Sequence, residues 1–307
     1  MRSVASLPLP WSTVGKCSAG IRTIARGVWR LVKEKPLGAC GALIVLILLL
    51  CALLAHWIAP YPYDQTNVRH RLKPPSAQFY LGTDNLGRDL FSRIVYGAQI
   101  SVTVGFGAVS LGTLLATAIG VLSGYFGGKF DVLMQRLVDA WMAFPFLVVL
   151  LSVMAVLGPG LLNVILSLGV LSAASSSRII RSATLATREH QYVEAARAVG
   201  ARHGRIILRY ILPNVMAPII IIATISLGFA ILAESALSFL GLGVPPPYPS
   251  WGEMLSGSGR SYMHKAPWMA TWPGVAISLA VFGFNMLGDA LRDLLDPRLR
   301  GGRLMQR

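Results

Sequence analysis

The stretch LGACGALIVLILLLCALLAHWIA, at Leu37–Ala59, decides the fold class of this chain. It runs for 23 residues without a Lys, Arg, Asp or Glu. At about 1.5 Å per residue, an α-helix of this length crosses the roughly 30 Å of hydrocarbon in a bilayer. The stretch is too long for the apolar core of a signal peptide, and no small-residue cleavage site follows it. We therefore predict a retained transmembrane helix over these residues.

Five further apolar runs predict an all-α membrane protein with a bundle of six transmembrane helices. The chain of 307 residues is 54% hydrophobic and only 13% charged, too little charge to cover a soluble domain. Pro145 and Pro218 lie inside two runs, which membrane helices tolerate where neighbours satisfy the freed carbonyls. Gly120, Gly124 and Gly128 form a ladder of small residues suited to helix packing. The five runs are Ile100–Gly124, Met134–Leu157, Leu161–Ser177, Val215–Leu240 and Trp272–Leu291.

The distribution of Lys and Arg predicts how the bundle is oriented. With the N-terminus inside, the inside segments hold 21 of the 28 Lys and Arg residues and the outside segments hold 7. The positive-inside rule then places both termini in the cytoplasm. Residues 1–36 become a basic cytoplasmic tail, read either as an interfacial helix or as an ordinary basic flank. Residues 60–99 become an outside loop, residues 100–291 hold the five-helix core, and residues 292–307 form a cytoplasmic C-terminal tail.

Composition and motifs exclude several other classes of protein. The net charge of +15 does not indicate nucleic-acid binding, because the charge lies between apolar runs and no basic stripe carries stacking aromatics. The cysteines Cys17, Cys40 and Cys51 and the five histidines show no metal-ligand spacing. The chain contains no GxxxxGK[ST] phosphate-binding loop and no convergent nucleophile and base. We expect no catalytic residues, metal or cofactor in this chain.

The segment Arg178–Pro213 is the most informative part of the chain. Leu185–Val199 is composed of good helix formers, and Gly200 suits the left-handed position that ends a helix. Ala201–Arg209 predicts a second short helix, after which Pro213 opens the next span. The pattern favours a docking element that projects from the membrane into the cytoplasm. The competing interpretation is a solvated basic loop, held inside by its seven Arg residues.

The segment contains Glu194-Ala195-Ala196, then Gly200 four residues later, and Leu212-Pro213 before the next span. This E-A-A pattern resembles the cytoplasmic loop signature of permease subunits in ATP-binding-cassette (ABC) importers. Tyr210 departs from the pattern, since the family usually has Ile or His at that position. The resemblance implies that the loop docks in a cleft of a separate ATPase subunit. That subunit binds ATP-Mg, and its closure switches the membrane helices between inward-open and outward-open states. The residues that match the signature are Glu194, Ala195, Ala196, Gly200, Leu212 and Pro213.

The stretch LGTDNLGRD at Leu81–Asp89 and three others resemble the C-type subunit of dipeptide/oligopeptide permeases, over about Lys33 to Gly302. One departure lies at Ala173–Ser177, where relatives often carry a bulkier stretch that contains an aromatic residue. The resemblance implies a type I importer permease fold in the bacterial cytoplasmic membrane. The matching stretches are LGTDNLGRD at Leu81–Asp89, LSFLGLG at Leu237–Gly243, PSWG at Pro249–Gly252 and FNMLGD at Phe284–Asp289.

The same resemblance implies a set of partners. They are a B-type permease subunit, two ATPase subunits and an extracytoplasmic substrate-binding protein, assembled in membrane lipid. Dipeptides, longer peptides, glutathione-like molecules and nickel chelates all remain open as cargo. The candidates for contact with the binding protein lie in a turn-rich stretch, which fits a structural loop cap equally well. They are Gly82, Asp84, Gly87, Arg88 and Asp89.

Two acids within the predicted spans, Asp139 and Glu234, are candidates for the translocation path. Asp139 follows Arg136 by three residues, which favours a local ion pair. Glu234 lies about 28 Å along a helix from Val215, close to the outer interface. A structural hydrogen bond is the competing role for both acids. The alternative function, a stand-alone ion-coupled secondary transporter, calls for acids near the bilayer centre, broken helices and repeated halves.

Overall fold

The computed structural model describes residues 35–295, and within this range the chain is helical and has no β-strand. Most of the predicted N-terminal tail, including its interfacial helix, and the C-terminal tail beyond Leu295 lie outside the described residues. In chain order the α-helices are α1 (Pro36–Leu53), α2 (Ala55–Ile58), α3 (Leu90–Phe126), α4 (Gly128–Met142), α5 (Phe146–Leu157), α6 (Leu161–Arg188), α7 (Gln191–Ala198), α8 (His203–Ile206), α9 (Leu212–Phe239), α10 (Trp251–Leu255), α11 (Gly257–Ser261) and α12 (Trp268–Leu295).

Five helical stretches of the described range are long and apolar enough to cross a membrane. They are α1, α3, α6, α12 and the continuous helix His203–Phe239. The bent pair of α4 and α5 makes a sixth span if the two helices are counted together. The predicted all-α membrane fold is therefore confirmed.

The third predicted span, Met134–Leu157, is not one continuous helix, and this part of the prediction was wrong. Helix α4 ends at Met142, α5 begins at Phe146, and their axes meet at 83°. Pro145 occupies the N-cap of α5 with an extended ψ of 125°. Proline lacks an N–H and disfavours helical conformation in the preceding residue, so the helix breaks there. Pro218, in contrast, is accommodated inside α9.

Helix α3 is the central element of the bundle. It packs along α6 and also contacts α9 and α1, while α12 packs against α1 and α9. Its 37 residues make about 55 Å of helix, longer than the hydrocarbon layer is thick. The two ends of α3 therefore mark two ends of the bundle. We call them the short-helix end, which carries α7 and α8, and the capped end, which carries residues 59–89 and 241–267.

Helices α3 and α6 differ most in length from the predicted runs. Helix α3 begins at Leu90 rather than at Ile100, because the Asp89 carboxylate caps it by accepting the Ser92 N–H at 2.8 Å. Helix α6 continues to Arg188 instead of ending in its serines. Serine hydroxyls there donate to carbonyls of their own helix, as Ser177 Oγ does to Ala174 at 2.7 Å, and so do not compete with the backbone ladder.

Glycines bring α3 and α6 into close contact. A Cβ at Gly120 would lie 2.6 Å from the carbonyl oxygen of Ser177, and one at Gly124 would lie 2.9 Å from Thr184 Cβ. Gly128, the third member of the predicted ladder, faces open space and belongs to α4, so it takes no part in this packing. The seam between α3 and α6 admits no side chain at Gly120 or Gly124.

Replacing Gly120 with Ala should destabilise the bundle, because the new methyl group must displace the α6 backbone. Overpacking of this kind costs about 1–3 kcal/mol, which corresponds to a few degrees in melting temperature. Gly274→Ala is the matched control, since Gly274 lies inside α12 and a Cβ added there would meet nothing within 4 Å. Thermal unfolding of the detergent-solubilised chain should separate the two variants. Equal melting temperatures would contradict the close seam.

Candidate functional site

The predicted loop signature folds into a short helix at the short-helix end. We call residues 189–202 the EAA segment. The chain turns at Glu189 and His190, and α7 then runs to Ala198. The predicted single helix Leu185–Val199 is thus split in two, since its first residues belong to α6.

Helix α7 presents one buried face and one exposed face. Val193 is fully buried and Ala196 is 6% exposed, three residues apart on the inner face. Glu194 and Ala195 lie on the outer face and are exposed. Ala196 is therefore an anchor of the segment, while Glu194 and Ala195 are available to a partner. The Glu194 carboxylate forms no ion pair with any other described residue.

Gly200 ends α7 in the left-handed conformation, as predicted, with φ of +78°. The Gly200 N–H donates to the carbonyl of Arg197 at 2.9 Å, and the Ala201 N–H donates to that of Ala196 at 3.0 Å. This pair of bonds is the Schellman arrangement, which satisfies the last carbonyls of a helix. A Cβ at Gly200 would meet nothing within 4 Å, so the backbone conformation alone selects glycine.

The predicted second short helix, Ala201–Arg209, is not separate from the next span. Helical structure begins at His203 and continues without a break to Phe239. It passes through one π-helical turn, Ile207–Ile211, in which the Leu212 N–H donates to the Ile207 carbonyl. Leu212 and Pro213 directly follow this π-helical turn as the first two residues of α9.

A cluster of apolar side chains fixes the EAA segment to the membrane helices. Val193 and Ala196 from α7 pack in one core with Ile206 and Ile211 of the following helical stretch. The same core includes side chains of α3, α6 and α9. These are Ala116, Val121, Tyr125, Ala173, Ile180, Val215 and Ile219. The segment is therefore continuous with the packed interior of the bundle.

Tyr125, at the end of α3, is the polar centre of this junction. Its hydroxyl is 2.8 Å from His203 Nδ1, and the Arg197 guanidinium lies 5.5 Å from its ring centroid. Arg188 Nη1 donates to the carbonyls of Gly124 and Tyr125, at 3.3 and 3.2 Å. Side chains before, within and after α7 thus all contact the same end of α3. The sequence offered no signal for these contacts, because the partners are far apart along the chain.

Ion pairs join α4 to α6 next to this junction. Arg181 Nε donates to Asp131 Oδ1 at 2.6 Å, and a second bond links Nη2 to Oδ2. Asp139 is paired with Arg178 of α6, and Arg136 lies at 3.9 Å, so the predicted local pair is present. The half-exposed Asp139 is thus held by two cations at the short-helix end.

Glu234 lies inside the chain. Its side chain is fully buried, and it accepts a hydrogen bond from Ser238 Oγ at 2.7 Å. Gly252 of α10 packs against the backbone of Ser235, so this part of α9 lies at the capped end. Glu234 therefore makes structural hydrogen bonds and faces no open surface of the chain.

The stretch Leu81–Asp89 folds into a compact cap. Asp84 Oδ1 accepts the N–H groups of Leu86 and Arg88, at 2.8 and 2.9 Å, and Asp84 Oδ2 is 2.6 Å from Arg88 Nε. Gly82 and Gly87 adopt φ of +83° and +73°. Four of the five predicted contact residues are buried, namely Gly82, Asp84, Gly87 and Asp89.

These residues therefore shape the cap, and exposed neighbours form its outer surface. Tyr80 is 60% exposed and Leu86 is 42% exposed.

Tyr63, also at the capped end, has a raised pKa. The causes are burial and the neighbouring Tyr248, Asp64 and Tyr96, and the Tyr63 hydroxyl stays protonated near neutral pH. Within residues 35–295, no group of three or more His, Cys, Asp or Glu side chains is placed to hold a metal ion.

Two family models match the chain. Residues 116–301 match the binding-protein-dependent transport system inner membrane component. Residues 23–75 match the N-terminal transmembrane domain of oligopeptide transport permease C. The first match contains α6 to α9 and the whole EAA segment.

Curated relatives are similar over nearly their full length. A dipeptide transport system permease protein of Alkalihalophilus pseudofirmus is 42% identical, over 90% of each chain. A putative peptide transport system permease protein of Brucella suis is 44% identical, over 85% of this chain and 87% of its own. A glutathione transport system permease protein of Escherichia coli is 41% identical, over 92% of this chain and 93% of its own.

A solved structure of the inward-facing MetNI methionine ABC transporter shares the fold. It matches with a TM-score of 0.54 and 20% identity, over 66% of this chain and 96% of its own. The helical bundle, the anchored EAA segment and these similarities all indicate the same family. The chain belongs to the family of binding-protein-dependent transport system inner membrane components, as a permease of the dipeptide/oligopeptide group.

Proposed function

We propose that this chain carries short peptides, or a related small solute, across the cytoplasmic membrane as the C-type permease subunit of an ABC importer. Relatives with more than 40% identity are named for dipeptide, peptide and glutathione transport. The observation that carries the proposal is the construction of α7. It exposes Glu194 and Ala195 while Val193 and Ala196 lock it to the bundle.

The exposed side of the EAA segment is suited to a protein partner. Val199 is 84% exposed and Tyr192 is 40% exposed, so apolar surface flanks the free carboxylate of Glu194. Ala195 lies between them and lets another backbone approach closely. A separate ATPase subunit, which holds ATP-Mg, would cover these groups in a cleft. Two such subunits would serve this chain and a B-type permease.

Motion of the ATPase would reach the membrane through the junction at Tyr125. The EAA segment is followed directly by the helix that becomes α9, and Val193 and Ala196 of α7 share one apolar core with side chains of α3 and α6. A displacement of α7 would therefore move three membrane helices together. Coupling, in this proposal, means that the motion of the ATPase subunit is passed to these helices.

We propose that the short-helix end faces the cytoplasm, on the strength of the 21-to-7 distribution of Lys and Arg. The capped end would then meet the substrate-binding protein through its exposed side chains, among them Tyr80 and Leu86. The buried residues of the cap would hold these exposed side chains in position. The break between α4 and α5 is a feature that the ion-coupled alternative calls for, but the two acids do not fit it. Glu234 is hydrogen-bonded inside the chain at the capped end, and Asp139 is paired with arginines at the short-helix end.

Gly200→Val should abolish cargo uptake while leaving the membrane abundance of the chain unchanged. A β-branched residue at φ of +78° costs about 1–2 kcal/mol or more, and the end of α7 would shift to relieve it. Gly204→Val is the matched control, because Gly204 is equally unobstructed, lies in the same region and has no positive φ. Uptake and co-purification of the ATPase subunits should be measured for both. Equal uptake in the two variants would argue against α7 as the transmission element.

Glu194→Arg should weaken co-purification of the ATPase subunits, because it reverses the unpaired carboxylate on the docking face. Glu189→Arg makes the same charge change in the same segment, and Glu189 is already paired with Arg188 at 3.1 Å. The expected order of ATPase retention is wild type, then Glu189→Arg, then Glu194→Arg. Equal retention in both variants would show that only the net charge of the segment matters.

Cysteine labelling should confirm the orientation. In a background that lacks Cys17, Cys40 and Cys51, a membrane-impermeant maleimide added to intact cells should modify Thr66→Cys, at the capped end. It should spare Arg202→Cys, in the EAA segment, until the membrane is opened. Both positions are exposed, so accessibility within the fold is matched. Labelling of Arg202→Cys in intact cells would reverse the proposed orientation.

A further inference from the structure

An open groove of about 600 Å³ lies where the bend between α4 and α5 faces α6 and α9. Its walls are mostly apolar and include Trp141 and Phe229. Within them stand four serines, Ser172, Ser175 and Ser176 of α6 and Ser226 of α9. The volume falls in the range of small-molecule sites, about 300–1,000 Å³.

The serines of α6 form one continuous stripe. Ser172, Ser175 and Ser176 follow the i, i+3, i+4 spacing of a single helix face. The hydroxyl of Ser172 donates to Gly169 and that of Ser175 donates to Ser172, both at 3.1 Å. Their oxygens are therefore left as acceptors on the groove side.

Two hydroxyls of the groove have no partner inside the described part of the chain. Ser176 and Ser226 form no hydrogen bond with any described residue. A hydroxyl in the membrane-spanning region that faces hydrocarbon loses its hydrogen bonds and is costly. Lipid tails offer no donors or acceptors, so the stripe calls for water or a polar solute in the groove. The occupant is therefore polar, at least in part.

The groove carries no charged side chain. None of its lining residues is an Asp, Glu, Lys, Arg or His. Arg178 and Asp139 lie beside the groove, within three residues of the lining residues Ser175 and Trp141, and are paired with each other.

We infer that this groove is the wall that the chain contributes to the cargo path, and that it holds a short peptide by hydrogen bonds and apolar contact without selecting for side-chain charge. The inference rests on the proposed peptide-importer function and deepens it. Serine hydroxyls both donate and accept, which suits the amide groups common to all peptides. The aromatic and aliphatic walls accept side chains of varied shape.

A charge placed in the stripe should impose selectivity that the wild type lacks. The test uses the complete transporter, with its binding protein and ATPases, in cells without other peptide importers. Uptake of alanyl-lysine is divided by uptake of alanyl-glutamate, with alanyl-alanine as reference. The binding protein is the same in every variant, so its own preference cancels when each ratio is compared with that of the wild type.

Ser175→Asp should raise this ratio about tenfold and Ser175→Lys should lower it about tenfold, as expected for unit charges a few ångströms apart in a partly wet site. Ser175→Asn is nearly isosteric with the Asp variant and neutral, so it should leave the ratio unchanged. Ser110→Asp, on an exposed position of α3 outside the groove, should also leave it unchanged. Unchanged ratios in both charged Ser175 variants, with uptake intact, would overturn the inference.

If the charged variants lose all uptake, the solvent accessibility of position 175 tests the inference instead. Ser175→Cys should react with a hydrophilic maleimide, and cargo should slow the reaction. An unreactive thiol in an active transporter would mean that the partner permease covers the groove, and the inference would fall. If the wild type carries none of the three dipeptides, the proposed peptide cargo is wrong. The thiol reaction still shows in that case whether the groove is an aqueous path.

Discussion

Close packing of α3 against α6 is the constraint on which the rest of the structure depends. Gly120 and Gly124 let the backbone of α6 lie where side chains would otherwise stand. The two helices therefore run together out of the hydrocarbon region, and their ends form one platform. On this platform Tyr125 and Arg188 position the turn into α7. A looser seam would leave the EAA segment without a fixed base.

The platform holds a short helix in one place. An isolated helix of eight residues is far too short to be stable by itself, since helices below about 12–15 residues are marginal in water. Helix α7 is ordered by Val193 and Ala196 in the shared core and by Gly200, whose conformation closes its C-terminus. The outer face of α7 takes no part in this packing, so Glu194 and Ala195 stay exposed.

Helix α6 also connects the EAA segment to the groove. One face packs on α3, another pairs with Asp131 and Asp139 of α4, and its serine stripe faces the groove. Movement of the EAA segment would therefore be transmitted to the wall that is proposed to contact cargo. The bend at Pro145 brings residues of both α4 and α5, Trp141 and Val149 among them, to the same groove.

Much of this architecture follows from the sequence, for identifiable reasons. Hydropathy located the spans because each must cover a fixed thickness of hydrocarbon, and Gly200 indicated a left-handed position because only glycine adopts it freely. The break at Pro145 was missed because membrane helices often absorb a proline, as α9 does at Pro218. The pairs Asp131–Arg181 and Tyr125–His203 could not be predicted, since their partners meet only after the helices pack.

The central claim is that α7 moves as one body with the end of α3. Spin labels at Ala198 on α7 and at Leu122 on α3, both exposed, report the distance between them in the assembled transporter. We expect the same distance distribution without nucleotide and with ATP trapped in the closed ATPases. A shift of the main distance between those two states would show that α7 moves independently of α3, and would contradict the proposed route of coupling.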